Sequence, residues 1–192
     1  MIAVVKYNAG NIRSAGNALQ RLGYDYMITG EKEDIIKADK VIIPGVGEAG
    51  SAMKHLRQTG LDKVLLSLKQ PVLGICLGLQ LMCRHSEESD TECLGIFDSD
   101  VRLFPHRGIV PHMGWNNFPF INGELFRGLL ITDNVYYVHS YYADLSPCTI
   151  AICNYILPFS AAMRKDNFFG VQFHPEKSSS AGERILKNFL EL

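Results

Sequence analysis

No apolar run in this 192-residue chain approaches the roughly 18 residues that would suggest a membrane-spanning helix. No basic run or basic arm is visible either. The 19 basic and 20 acidic residues leave a formal charge of −1, which argues against a general polyanion binder. No CxxC pair occurs among the five cysteines, Cys76, Cys83, Cys93, Cys148 and Cys153. Their odd count and irregular spacing indicate neither a zinc site nor a redox pair. Reduced thiols are expected, mostly buried as small apolar groups, with no metal and no organic cofactor. Only seven residues precede the first Asn/Gly-rich turn, too few for a signal-peptide apolar region, so a soluble cytoplasmic protein is expected. No linker rich in Pro, Ser or Gly interrupts the chain and no repeat is detectable. One domain over residues 1–192 is the economical reading, and it is long enough to bury a substantial core.

The first half alternates short apolar runs with helical patterns. Strands are predicted at Ile2–Tyr7, Tyr24–Ile28, Val41–Ile43 and Pro71–Ile75. Helices are predicted near Ile12–Leu22, Glu48–Gln58, Leu61–Leu68 and Cys76–His85. That alternation implies a parallel sheet covered on both faces. The second half is richer in strands, at Val101–Phe104, Tyr136–Tyr142, Thr149–Asn154, Ser160–Arg164 and Phe168–Phe173. A helix over Ala181–Leu190 closes it. The expected fold is a three-layer α/β/α sandwich around a mixed, mostly parallel sheet.

The segment Pro71-Val-Leu-Gly-Ile-Cys76-Leu-Gly-Leu-Gln80 reads as a strand, a Gly-x-Cys-x-Gly turn and a helix. This is the thiol version of a nucleophile elbow. The sharp turn strains the backbone at the nucleophile, and side chains at Gly74 or Gly78 would collide. The helix start aims free N–H groups at the sulfur and favours its thiolate. A buried cysteine beside an ordinary turn is the plainer alternative, and a nucleophile also needs a base.

Gly170-Val-Gln-Phe-His174-Pro175-Glu176 ends a strand near the carboxyl terminus. Side chains two apart on a strand point the same way, so His174 and Glu176 can lie together. A carboxylate beside an imidazole holds its tautomer and stabilises the imidazolium. An isolated His-x-Glu is more often a surface ion pair. Here it follows a strand, as the elbow does, and parallel α/β folds collect their sites at carboxyl ends of strands. His55 and His85 fall in predicted helices with charged neighbours, and His106 in a loop. A third strand, Ile42-Ile43, runs into Pro44-Gly45-Val46-Gly47. Glycines there let backbone N–H groups approach a ligand. An oxyanion formed at Cys76 could rest on the N–H of Leu77 and on that of Val46 or Gly47.

With these segments together, the sequence resembles the class I glutamine amidotransferase family over essentially its whole length. The elbow and the His-Pro-Glu segment are shared family-wide. Three narrower matches are KYNAGNIRS (6–14), PHMGWN (111–116) and YYVHSYY (136–142). They resemble the glutaminase subunits that serve imidazole glycerol phosphate synthases in histidine biosynthesis. The resemblance implies Cys76 as nucleophile, His174 as acid/base and Glu176 as its orienter. It implies that Gln80 and the backbone at Ser140 and Tyr141 hold the amino-acid head of glutamine. It also implies a (β/α)8 cyclase or synthase partner in a heterodimer, reached through Asn11, His112, Met113, Trp115 and Lys177, with ammonia passing between the subunits. The Pro-Gly-Val-Gly peptide is similar to one that is misoriented in the resting enzyme and corrected by the partner. The stretch Ser86–Gly95 is short for such subunits and is read as a surface loop outside the catalytic motifs. Three alternatives stand beside this reading: a paralogous ammonia supplier for another synthase, such as one aminating a surface sugar; a cysteine hydrolase of γ-glutamyl or peptide bonds; and a non-catalytic scaffold.

Overall fold

A computed structural model describes the chain from Met1 to Leu192. Its central strands are β1 (Ile2–Val5), β2 (Tyr26–Thr29), β3 (Lys40–Ile43) and β4 (Val72–Ile75). The helices between them are α1 (Ile12–Arg21), α2 (Lys32–Lys37), α3 (Ala49–Thr59) and α4 (Leu61–Ser67), followed by α5 (Leu77–Met82). Every residue of β1 and β4 is buried because alternate side chains serve opposite faces. Ile2, Val4, Ile42, Leu73 and Ile75 pack beneath α1 and the carboxyl-terminal helix α6 (Ser179–Leu190). Ala3, Val5, Val41, Ile43 and Val72 pack beneath α3, α4 and α5. Two apolar cores flanking one sheet make the predicted three layers.

The second half supplies the paired strands β5 (His85–Ser86) and β6 (Thr91–Glu92), then β7 (Asp100–Leu103), β8 (His112–Asn116) and β9 (Phe120–Ile121). These are followed by β10 (Val135–His139), β11 (Tyr141–Ala143), β12 (Thr149–Asn154), β13 (Pro158–Lys165) and β14 (Phe168–Val171). The main sheet runs β2-β1-β3-β4-β14-β13-β12-β9. It is parallel from β2 through β14 and antiparallel beyond. The carboxyl ends of β1, β3, β4 and β14 therefore meet along one edge.

Three expectations need correction. The helix after Cys76 stops at Met82, and His85 lies in β5, paired with Glu92. The predicted strand Tyr136–Tyr142 is two strands in different sheets, β10 against β8 and β11 against β7, with the break at Ser140. Finally, β14 ends at Val171, short of the predicted Phe173.

Candidate active site

Cys76 sits at φ 52°, ψ −105°, a conformation that costs an L-residue about 1–3 kcal/mol and persists only where the surroundings enforce it. Its N–H donates to Val171 O (2.7 Å), and its carbonyl accepts from Gln80 N–H (3.2 Å). The glycines on either side are required by contact. A Cβ at Gly74 would lie 2.6 Å from the Gly78 backbone, and one at Gly78 would lie 2.0 Å from Ile43 O. Helix α5 can thus sit directly on β3 and β4, which lifts the Cys76 sulfur to the sheet edge.

His174 and Glu176 are brought together, though not by strand alternation. Beyond β14 the chain is extended at His174 and then turns into a single 3₁₀ turn, Pro175–Lys177. That turn swings the Glu176 carboxylate back to the ring, placing Oε1 2.8 Å from Nδ1, with both side chains almost fully buried. The other ring nitrogen, Nε2, is buried without a well-formed hydrogen bond. The Cys76 thiol is the other group that acts electrostatically on the ring. Burial opposes a charge on the ring, yet Cys76 and Glu176 outweigh burial and push His174 up to about 10. A catalytic contact that is loose without substrate commonly tightens in the complex. The three side chains read from the sequence as nucleophile, base and orienter thus lie in one place.

Asn11, expected at a partner contact, has an internal role that the expectation did not include. It holds a left-handed conformation (φ 65°) and donates from Nδ2 to Glu176 Oε1 at 2.8 Å. It therefore shares that oxygen with His174 Nδ1 and helps to hold the carboxylate in place.

The predicted oxyanion donors are only partly available. Leu77 N–H donates to Gly45 O (3.4 Å). In a trans peptide the carbonyl and the next N–H point oppositely, so Val46 N–H is directed away from the spot Leu77 serves. The next carbonyl, Val46 O, accepts from Gly10 N–H (2.9 Å), which ties this loop to the Asn8–Asn11 turn. Gly45 itself is confined: a Cβ there would stand 2.5 Å from Tyr7 Oη, which donates to Pro44 O.

A cavity of about 280 Å³ opens over Cys76, lined by Val46, Gly47, Leu77, Gln80, Glu88, Pro111 and residues 138–141. That volume suits a small metabolite rather than a polymer. Gln80 lines it, but its Nε2 is committed to Tyr141 O (2.9 Å) and Gln172 Oε1 (3.1 Å), leaving only Oε1 for a ligand. The Ser140 carbonyl is likewise taken, by Phe104 N–H (3.0 Å). Glu88 is the one carboxylate on the wall. Burial raises its pKa, and Ala49 N–H, donating at 2.8 Å, opposes that rise. It lies within the stretch read as a surface loop outside the catalytic motifs, and its acidic, polar neighbours gave no sign of the cavity. Gln172 was missed too, although it lies two residues before His174.

On the outer face, Met113, Trp115 and Lys177 are exposed. Trp115 packs edge-on against Tyr136, with Lys177 Nζ 6.0 Å from the same ring. His112 is not among them. Alternation along β8 turns it inward, where it stacks between Tyr137 and Tyr155 and its Nδ1 lies 3.1 Å from His139 Nε2. No group of His, Cys, Asp and Glu side chains could hold a metal ion. No helix is long and apolar enough to cross a membrane.

Residues 4–192 match the family model described as glutamine amidotransferase class-I. The chain is 58% identical to imidazole glycerol phosphate synthase subunit HisH of Bacteroides fragilis, over all of this chain and 99% of that one. It is 45% identical to the subunit of the same name from Escherichia coli, with the same coverage. Among solved structures it resembles a putative GMP synthase component from Thermoplasma acidophilum, at TM-score 0.74 and 21% identity, covering 100% and 92% of the two chains. A crystal structure of a glutamine amidotransferase gives TM-score 0.75 at 19% identity, covering 99% and 97%. The latter two likenesses speak for the fold alone. The chain belongs to the class I glutamine amidotransferase family.

Proposed function

We propose that this chain is the glutaminase subunit of an imidazole glycerol phosphate synthase, acting in the cytoplasm as a single domain. It hydrolyses glutamine to glutamate and ammonia for a (β/α)8 cyclase partner in histidine biosynthesis. The observation that carries the reading is Cys76, strained into positive φ beside a buried imidazole whose far nitrogen is held by a buried carboxylate. In this mechanism His174 takes the Cys76 proton and the sulfur attacks the γ-carboxamide carbon of glutamine. The carbon–nitrogen bond breaks as the imidazolium returns its proton to the departing nitrogen, giving ammonia and a glutamyl thioester. Water, deprotonated by the same imidazole, then releases glutamate. Glu88 and Gln80 Oε1 face the α-ammonium, beside the backbone of Ser140 and Tyr141.

The tetrahedral oxyanion needs Leu77 N–H together with Val46 or Gly47 N–H. With Gly45 O on Leu77 N–H, that pocket is blocked. One missing oxyanion donor costs about 2.7–4 kcal/mol, roughly 10²–10³ in turnover, so the free subunit idles until the partner turns the peptide. Met113, Trp115 and Lys177 form the docking face, and Asn11 links it to Glu176. The test is a glutaminase assay with and without the cyclase and its ligand, alongside Cys76→Ala. Activity surviving in Cys76→Ala refutes the chemistry, and equal rates with and without partner refute the switch.

A further inference from the structure

The sulfur of Cys76 has a polar neighbour that the triad does not include. Gln172 is fully buried just past the end of β14. The register Val171↔Ile75 and the bond from Cys76 N–H to Val171 O bring it alongside the nucleophile. Its Nε2 lies 3.5 Å from Cys76 Sγ.

Which end of a carboxamide faces a sulfur is normally decided only by its surroundings. Here the surroundings leave one answer. Tyr141 O is a backbone carbonyl and can only accept, so Gln80 must turn its nitrogen toward it at 2.9 Å. The second hydrogen on that nitrogen then meets Gln172 at 3.1 Å, which must offer its oxygen. With Oε1 committed there, Gln172 can present only N–H to the sulfur. His139 Nδ1, 2.7 Å from the same Tyr141 O, fixes the origin of the chain from the other side.

We propose that Gln172 is a fourth catalytic residue, whose Nε2–H donates to the Cys76 thiolate, stabilises it and aims its lone pair at the substrate carbon. The proposal rests on the glutaminase reading and assigns Gln172 a role distinct from that of His174. A neutral donor lowers the energy of the sulfur anion without competing for the proton the imidazole must carry. Its effect should appear in thiolate formation and attack, not in glutamine binding.

The experiment follows alkylation of Cys76 by iodoacetamide against pH, read on the Cys76 peptide by mass spectrometry so that the other four thiols do not interfere. It compares wild type, Gln172→Met, which keeps the volume without the donor, and Gln172→Glu, which keeps the shape and reverses the polarity. His174 and Tyr7 act on the sulfur, and His139 and Glu88 line the same cavity, in all three, so differences between them report position 172. A donor to a charged group is worth about a tenfold effect or more. In Gln172→Met, alkylation at neutral pH slows about tenfold, kcat falls in proportion and KM holds. Gln172→Glu falls further. Superimposable profiles for wild type and Gln172→Met overturn the inference, whereas glutaminase activity without Cys76 overturns the reading beneath it. Should Gln172→Met not fold, the wild-type Gln172 carboxamide resonances decide. They must shift as Cys76 ionises, and if they stay fixed the proposal fails.

Discussion

The buried pair His112 and His139 makes the fold sensitive to acid in a way that can be worked out beforehand. Burial pushes His139 down to about 3, against the pull of Tyr141 O, and burial pushes His112 down to about 4. The direction follows from linkage. Both rings stay neutral in the folded chain and take up protons at their ordinary value of 6.5 once unfolded. Their contribution is therefore complete above pH 6.5 and is lost as pH falls toward 4 and 3. At about 1.4 kcal/mol per pH unit per proton, lowering the pH from 7 to 4.5 costs about 2.5 kcal/mol through His139. His112 sits nearer solvent, and screening discounts its share. The pair together removes about 3–4 kcal/mol from a total that for a domain of this kind is about 5–15 kcal/mol. Urea denaturation at pH 7, 6, 5 and 4.5 measures it. His112→Phe preserves the stacking on Tyr137 and Tyr155 while deleting one titrating group, so the slope rather than the absolute stability is decisive. The variant is less stable at pH 7, because His139 loses its partner, but it loses less per pH unit. Equal slopes for wild type and variant between pH 6 and 4.5 refute the reasoning.

Three further outcomes are expected. His174 carries the opposite sign: its contribution is complete below pH 6.5 and disappears as pH rises toward about 10. Denaturation at pH 7 and 9.5 should show wild type losing up to about 3 kcal/mol more than His174→Asn. Gly78→Ala forces a Cβ to within 2.0 Å of Ile43 O and should cost at least about 3 kcal/mol, read as a fall in Tm and loss of soluble protein. Trp115→Ala removes an exposed aromatic anchor; calorimetric titration with the cyclase should show binding about 30-fold weaker, while the stability of the free subunit changes by less than about 0.5 kcal/mol.

What the sequence revealed and what it concealed divide along the range of the interactions. Elements whose period is carried by their own residues were legible: β1, β3, β4, α1 and α3 all lie close to their predicted positions. So was the elbow, since strand, Gly-x-Cys-x-Gly and helix are contiguous. The helix α2 was not, because its six residues bury only Ile35 and show no apolar stripe. Strand β8 was hidden too. Its partner β10 begins 19 residues after β8 ends, and no short hairpin turn announces the pair. Ser140, where the chain crosses between sheets, carries neither Gly nor Pro to mark the break. His174 and Glu176 were correctly paired for an incorrect reason. The strand-alternation argument needed β14 to run on, and a 3₁₀ turn achieves the same juxtaposition. Glu88 and Gln172 depended on contacts with residues far away in the chain, and nothing local distinguishes either from a solvated acid or a strand-end amide.

On the proposed function, the same long-range contacts would let one surface govern the chemistry buried beneath it. The turn at Asn8–Asn11 touches both halves of the proposed catalytic apparatus: Gly10 N–H holds Val46 O, and Asn11 Nδ2 holds Glu176 Oε1. Val46 belongs to the loop whose preceding carbonyl occupies Leu77 N–H. Turning the Gly45–Val46 peptide would free that N–H and bring a second donor around, and the obstacle to the rotation is local. Tyr7 Oη holds Pro44 O on one side, and Gly10 holds Val46 O on the other. Together with the long Leu77 N–H bond to Gly45 O that the rotation itself breaks (3.4 Å), these hydrogen bonds of about 1 kcal/mol net each are a modest restraint, no larger than the 2.7–4 kcal/mol or so that a second oxyanion donor returns in the transition state. A partner pressing on the Asn8–Asn11 turn therefore need not supply the catalytic energy. It has only to loosen a restraint no stronger than the interaction that replaces it, while Asn11 keeps the carboxylate, and through it the imidazole, in place.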